Sequence, residues 1–189
     1  MKSGAGKQQR KFQDGFERAE IMPQAVVHVL FTIIMLDLFR DHFLKNKKKL
    51  PLHYVFIGGV AGLLPDIDVP LFWLLNNFLG FNVPWFHRVF THTFLFILIF
   101  LFIALIYFDF NKKAGLMFGI IAFGVAFHVL LDYLLVGGIA PFYPFSDMTY
   151  GLNLVGKLKL PLAVEGLEAI VLLWWLWHEE RTHKISDFI

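Results

Sequence analysis

The feature that most constrains this chain is the run from Val89 to Phe108, in which 14 of 20 residues are phenylalanine, leucine or isoleucine. A run of about 20 apolar residues is long enough to cross the hydrocarbon core of a bilayer as a helix. Lipid offers no hydrogen-bond partners, so the backbone of such a run must satisfy its own polar groups, as a helix does. The run therefore predicts a membrane helix, and together with the other apolar runs of the chain it predicts an all-α, polytopic transmembrane helical bundle.

The composition supports the same class of protein. Hydrophobic residues make up 57% of the 189 residues and charged residues 17%, with 23 phenylalanines, which excludes a disordered chain and argues against an ordinary soluble domain. The net charge of +2 does not indicate a nucleic-acid partner. Because the chain has no cysteine, disulfides and thiolate metal sites are excluded. Any metal ion would need His, Asp or Glu ligands, which suit zinc or manganese.

Further apolar runs alternate with polar breaks along the chain. We predict a polar N-terminal tail at residues 1–20 and a membrane-embedded domain at residues 21–189. Four membrane helices are expected at 22–39, 89–108, 114–136 and 160–177, with a short glycine-rich fifth at 52–64. Residues 69–79 are predicted to form a short interfacial or re-entrant helix. Basic residues collect at the end of the bundle opposite Asp66, so the positive-inside tendency predicts that the Asp66 end faces outside.

Ionisable side chains also stand within or at the ends of the apolar runs. Charged groups at membrane depth are costly, so they usually line a polar cavity and serve a function. Following the chain through alternating spans brings these side chains to one end of the bundle. The candidates that converge there are His28, Asp66, His87, His92, His128 and Asp132, with Asp68 beside Asp66. Such a set suits two or more divalent ions that activate water and neutralise a phosphoryl or acyl transition state.

The histidine motifs leave alternatives open. His128 and Asp132 are four residues apart and share one helix face, so they either bind one ion together or Asp132 only orients a core histidine. His87 and His92 are five apart, which suits a loop-to-helix junction. They either bind metal, with Arg88 as a forked donor to an anionic phosphate, or form an interfacial pair beside a snorkelling arginine.

The carboxylates are equally ambiguous when taken singly. Asp66 and Asp68 flank one isoleucine at a predicted helix end, where a carboxylate either serves a metal site or caps a turn. His28 alone is typical of a packed core histidine and becomes a candidate ligand through the convergence. Glu165 and Glu168 lie in the last apolar run, and whether either joins the site stays open.

Taken together, the motifs resemble those of the membrane-bound metal-dependent hydrolase family, the YdjM-like proteins, over roughly residues 22–178. The resemblance rests on His28, Gly-Leu-Leu-Pro-Asp-Ile-Asp at 62–68, His-Arg-x-x-Thr-His at 87–92, His-x-x-x-Asp at 128–132 and Pro-Phe-Ser at 144–146. That family is distantly similar to zinc-dependent phospholipase C and zinc-dependent single-strand nucleases, which are all-helical enzymes. The resemblance implies two or three metal ions held by His28, Asp66, His87, His92, His128 and Asp132.

We therefore expect a membrane-embedded, metal-dependent hydrolase of the inner membrane, using zinc or manganese to activate water. The expected activity is that of a phosphoesterase acting on a lipid or lipid-linked phosphate, with Asp66, Asp68 and Arg88 as catalytic residues. The bilayer and a lipid or phosphoester substrate are the expected partners. The alternative from another class is a divalent-cation or proton-coupled transporter that uses the same groups. A structural membrane protein is a third interpretation, but it does not account for six convergent metal-type side chains.

Overall fold

The computed structural model describes residues 24–44, 49–80, 88, 90–158, 170–175, 177, 178 and 181. Its helices are α1 (Gln24–Phe43), α2 (Leu52–Ala61), α3 (Asp68–Trp73), α4 (Phe94–Phe110), α5 (Lys112–Leu135) and α6 (Leu154–Leu158). A 3-10 turn at Pro65–Ile67 precedes α3, and a π-helical turn at Leu74–Phe78 follows it. Apart from one antiparallel bridge between Ile139 and Tyr150, the described residues contain no β-structure, so the all-α prediction is confirmed. The predicted tail at 1–20 and the predicted ligand His87 lie outside the described residues, as do Glu165 and Glu168, whose part in the site was left open.

Helix α5 is the axis of the bundle and packs against α1, α2 and α4. Asn111 is the whole connection between α4 and α5. Its backbone N–H donates to the Tyr107 carbonyl at 2.7 Å, while its side-chain oxygen accepts from the N–H groups of Lys113 and Ala114 at 3.1 and 3.3 Å. One residue thus closes the end of α4 and caps the start of α5, which makes the two helices antiparallel neighbours.

Glycines allow α2 and α5 to approach closely at the end of α2. A Cβ added to Gly124 would lie 2.5 Å from the Gly58 carbonyl oxygen and 3.1 Å from the Gly62 nitrogen. No side chain fits in that space, so glycine is required by the contact rather than by the helix. We call Gly58, Gly62 and Gly124 the glycine contact. It joins the end of α2 to the half of α5 that carries His128 and Asp132.

The described residues contain fewer helices that could span a membrane than the sequence predicts. Among the described residues, only α5 is by itself both long and apolar enough to cross a bilayer. The helices Leu52–Ala61 and Pro65–Phe78 meet at a 46° bend, and together they count as a second candidate span if the bend lies within one span. The prediction of four to five spans is therefore wrong. Helix α4 has 17 residues because Thr93 caps it inside the apolar run, and α1 carries Asp37, Arg40 and Asp41 in its last turns. The last predicted span lies mostly outside the described residues.

The surface of α4 nevertheless differs from that of a soluble core helix. Ala104 is its one buried residue, whereas Phe102 is 65% exposed and Leu105 is 59% exposed. A broad exposed apolar surface of this kind marks contact with lipid or another protein. Helix α4 therefore packs on α5 along a narrow seam and leaves the rest of its surface apolar and exposed.

Candidate metal centre

Four separate segments bring five of the six predicted ligands together at one end of the bundle. His28 comes from α1, Asp66 from the 3-10 turn and His92 from the turn before α4. His128 and Asp132 come from successive turns of α5. We call these five residues the histidine–aspartate cluster. His28, His92, His128 and Asp132 are each at most 2% exposed, so the polar atoms of the cluster face one another inside the protein.

The glycine contact orients His128. The Nδ1 atom of His128 lies 2.5 Å from the Gly62 carbonyl oxygen. Because a carbonyl oxygen can only accept a hydrogen bond, Nδ1 carries the proton and donates it. That hydrogen bond fixes the tautomer and leaves Nε2 as the ligand nitrogen, as an outer hydrogen bond does for metal-binding histidines generally. Gly124 lies one helical turn before His128, and its missing side chain lets the Gly62 carbonyl come within reach.

His92 is oriented by a hydroxyl group rather than by a carbonyl. The Thr91 hydroxyl donates its one proton to Asp68 Oδ2 at 2.8 Å, so it can only accept from His92 Nδ1, which lies 3.0 Å away. The Nε2 atom of His92 then faces the cluster, as that of His128 does. Burial opposes a positive charge on His92. In the protonated ring, however, the Nε2–H group donates to Asp132 and Asp66, and these hydrogen bonds outweigh burial and raise the pKa of His92 above 6.5.

The ligand atoms are spaced as a small tetrahedral ion requires. The His92 and His128 Nε2 atoms are 3.1 Å apart, and each lies 3.5 Å from Asp66 Oδ1. From Asp132 Oδ2 they lie 3.3 and 3.9 Å away, respectively. Zinc bonds of about 2.0–2.1 Å in tetrahedral geometry give ligand–ligand distances of about 3.3–3.4 Å. These five distances bracket that value, and Asp66, His92 and His128 form one group that fits three positions around a divalent cation, with Asp132 Oδ2 beside the two histidines.

Asp132 extends the cluster towards His28. Its Oδ1 lies 3.3 Å from His28 Nε2, while its Oδ2 faces His92 and His128. His28, His128 and Asp132 form a second group whose ligand atoms all lie within 4.8 Å of one another. A carboxylate placed in this way suits two ions, one at each oxygen.

Arg88 and Asp66 form the accessible side of the cluster. The Asp66 side chain is 23% exposed and the Arg88 side chain is 26% exposed, in contrast to the buried histidines. Arg88 Nε lies 3.3 Å from Asp132 Oδ2. A guanidinium is also the group that best matches the oxygens of a carboxylate or phosphate. Among the described residues, an anion would reach the cluster on this side.

The structure does not place Asp68 among the candidate ligands. It is 3% exposed, and its Oδ2 accepts hydrogen bonds from Thr91 and from the backbone N–H of Arg88. It supports the turn that carries His92, whereas the sequence predicted a catalytic carboxylate. The remaining predicted ligand, His87, lies outside the described residues.

Sequence reasoning missed Gly124 and Thr91. Gly124 had a readable signal, since Gly124, His128 and Asp132 follow at intervals of four and so share one face of a helix. Thr91 stands in the His-Arg-x-x-Thr-His motif, but its role was not predicted, because that role depends on a hydrogen bond to Asp68, 23 residues earlier in the chain.

Comparison with known proteins gives one family. A family model described as YdjM inner membrane protein matches residues 22–186, which is most of the chain. No curated protein and no solved structure gives a significant match.

Proposed function

This chain belongs to the YdjM inner membrane protein family, and from that premise we propose that it is a membrane-embedded, metal-dependent hydrolase. The proposed reaction is hydrolysis of a phosphoester, and the proposed substrate is a lipid or lipid-linked phosphate. The observation that carries the proposal is the presence of two groups of ligand-type side chains, Asp66 with His92 and His128, and His28 with His128 and Asp132; within each group the ligand atoms lie within 4.8 Å of one another.

Zinc or manganese held there would supply a Lewis acid and a bound water of lowered pKa. The chain's own residues do the rest. Arg88 binds an anionic oxygen at the accessible side and holds it beside Asp132. Asp66, also partly exposed, is placed to accept a proton from an attacking water. The buried histidines exclude bulk water from the inner side of the cluster.

Metal content is the first test. The full chain, purified in detergent, should carry stoichiometric zinc or manganese by elemental mass spectrometry, and Asp132→Asn should lose it. Asp147→Asn is the matched control, since Asp147 is an exposed carboxylate of the 136–153 loop. A wild-type protein that holds no stoichiometric metal after incubation with Zn²⁺ and Mn²⁺ would refute the proposed site.

Activity is the second test. Loaded protein should hydrolyse a chromogenic phosphodiester or release phosphate from vesicles that contain a lipid phosphate, and Asp132→Asn should abolish the reaction. Hydrolysis that persists unchanged in Asp132→Asn would show that the activity does not come from this cluster.

Transport is the second candidate, and one observation favours it. Asp37 and Arg40 form a buried ion pair at 3.1 Å on α1, the helix that also carries His28. An ion pair buried on the helix that carries His28 would suit an ion pathway leading away from the cluster. A proteoliposome assay decides between the two: metal uptake that Asp37→Asn abolishes supports a transporter, whereas hydrolysis without uptake supports the hydrolase.

We also propose that the cluster faces outward, because Lys112 and Lys113 lie at the end of α5 opposite Asp132. The natural chain has no cysteine, so single-cysteine variants report orientation without background. In intact cells, Ser146→Cys should react with a membrane-impermeant maleimide and Lys113→Cys should not. The reverse pattern would place the cluster on the cytoplasmic side.

A further inference from the structure

One carboxylate oxygen holds two parts of the turn that precedes α4. Oδ2 of Asp68 accepts a hydrogen bond from the Thr91 hydroxyl at 2.8 Å and another from the Arg88 backbone N–H at 3.2 Å. Asp68 is buried and begins α3, so it is a fixed point on a different element from the turn it holds.

The first of these bonds determines how His92 faces the cluster. A hydroxyl has one proton, and Thr91 gives it to Asp68, so the Thr91 oxygen is available to accept from His92 Nδ1 at 3.0 Å. The ring proton is thereby kept on Nδ1. His92 Nε2 is then directed at Asp132 Oδ2, 3.3 Å away.

The second bond determines how Arg88 faces the cluster. Arg88 has a φ of 64°, which is unusual for a residue with a side chain and costs free energy unless the surroundings hold it. Asp68 holds the backbone N–H in that conformation. The side chain then places Nε 3.3 Å from the same oxygen, Asp132 Oδ2.

We propose that Asp68 is a positioning residue that sets both His92 and Arg88 on one oxygen of Asp132, acting through Thr91 on the first and through the backbone on the second. It touches neither ion nor substrate itself. The inference rests on the proposed function only in taking the ligand of the cluster to be a divalent cation. The orientation and tautomer that it predicts for His92 do not require a bound metal ion.

The test uses the full chain in detergent, stripped of metal and titrated with Zn²⁺ against a chromogenic chelator. Loss of an outer hydrogen bond to a metal-binding histidine weakens metal binding about 10–100-fold, so Thr91→Val should do the same. Thr91→Ser keeps the hydroxyl and should bind Zn²⁺ like the wild type. Asp68→Asn keeps an acceptor oxygen but loses the charge, so its loss should be smaller than that of Asp68→Ala. Thr149→Val and Asp147→Asn make the same chemical changes at exposed positions and should leave affinity unchanged.

A second readout needs no metal. Nitrogen-15 spectra of the histidine rings in alkaline buffer should show His92 protonated on Nδ1, with the signal assigned by its loss in His92→Gln. Thr91→Val should move that proton to Nε2, and Thr91→Ser should restore it. A purely structural role for Thr91 would lower the melting temperature and leave the tautomer unchanged.

The two readouts separate this inference from the proposed function. Wild-type affinity and an Nδ1 proton in Thr91→Val would overturn the positioning role. Failure of the wild type to bind Zn²⁺ would refute the proposed function, and the tautomer shift would still decide the role of Thr91 and Asp68.

Discussion

Replacing Gly124 with alanine is the sharpest perturbation of the candidate metal centre that touches none of its ligands. The added Cβ would lie 2.5 Å from the Gly58 carbonyl oxygen, 3.0 Å from Ala61 Cβ and 3.1 Å from the Gly62 nitrogen. Two of these three atoms belong to the backbone and cannot rotate away. Helix α2 must therefore move from α5, or α5 must bend.

The size of that movement follows from the contact distance. To restore a tolerable separation of 3.0–3.4 Å, the Gly58 oxygen must shift by about 0.5–0.9 Å. Overpacking of this kind costs about 1–3 kcal/mol, against which alanine returns up to about 1 kcal/mol of helix propensity. The expected net loss in the free energy of unfolding is about 1–2 kcal/mol. A shift of that size also breaks the 2.5 Å hydrogen bond from His128 to Gly62, and metal affinity should fall about 10–100-fold.

Gly119→Ala is the matched control on the same helix. Its Cβ would meet Ala104 Cβ at 4.0 Å, an ordinary contact, so this variant should gain about 0.5–1 kcal/mol from helix propensity alone. Thermal unfolding of metal-stripped protein in detergent measures stability, and Zn²⁺ titration against a chelator measures affinity. The reasoning is refuted if Gly124→Ala melts at or above the wild-type temperature and binds Zn²⁺ with wild-type affinity.

Three further predictions follow from the turn before α4 and from the connection that caps α5. Because the pKa of His92 is raised, its protonated form stabilises the metal-stripped fold fully below pH 6.5, and the contribution is lost as the pH rises through the folded pKa. The melting temperature should fall over that pH interval in the wild type but not in His92→Gln. An equal change of melting temperature with pH in both proteins would show that His92 is not the group responsible. Asn111→Ala removes two hydrogen bonds at the start of α5 and should cost about 1 kcal/mol in thermal unfolding, whereas Asn111→Asp should retain the cap; an unchanged alanine variant would show the cap to be dispensable. Arg88→Lys keeps the charge but loses the planar fork, so metal content should stay at the wild-type level while the KM for a phosphodiester rises roughly tenfold. An unchanged KM would remove Arg88 from substrate contact.

The convergence of the cluster could be predicted because it depends on few facts. Spacing of four places His128 and Asp132 on one helix face, and the alternation of apolar runs brings His28 and His92 to the same end. Neither step needs knowledge of side-chain packing. Asp66 followed because Pro65 predicts a helix end there, although α2 already ends at Ala61 and Pro65 begins the 3-10 turn that carries Asp66.

The remaining features depend on tertiary contacts that a pattern cannot express. Arg88 adopts a left-handed conformation without being glycine, and Asp68 hydrogen-bonds a threonine 23 residues away. The span count failed for a different reason. The length of an apolar run is not the length of a helix, and the Thr93 cap starts α4 five residues after the apolar run begins at Val89.

The pairing of Arg88 with Asp68 and Asp132 has a consequence for the order in which ligands bind. With neutral histidines, the three carboxylates of Asp66, Asp68 and Asp132 outweigh one guanidinium by two negative charges. A phosphate anion that approaches Arg88 therefore meets a repulsive field until a divalent cation cancels it. A second cation on the His28 side of Asp132 would reverse the sign. Cations would then bind first and anions second, and a chelator added to the loaded protein would release phosphate together with the metal.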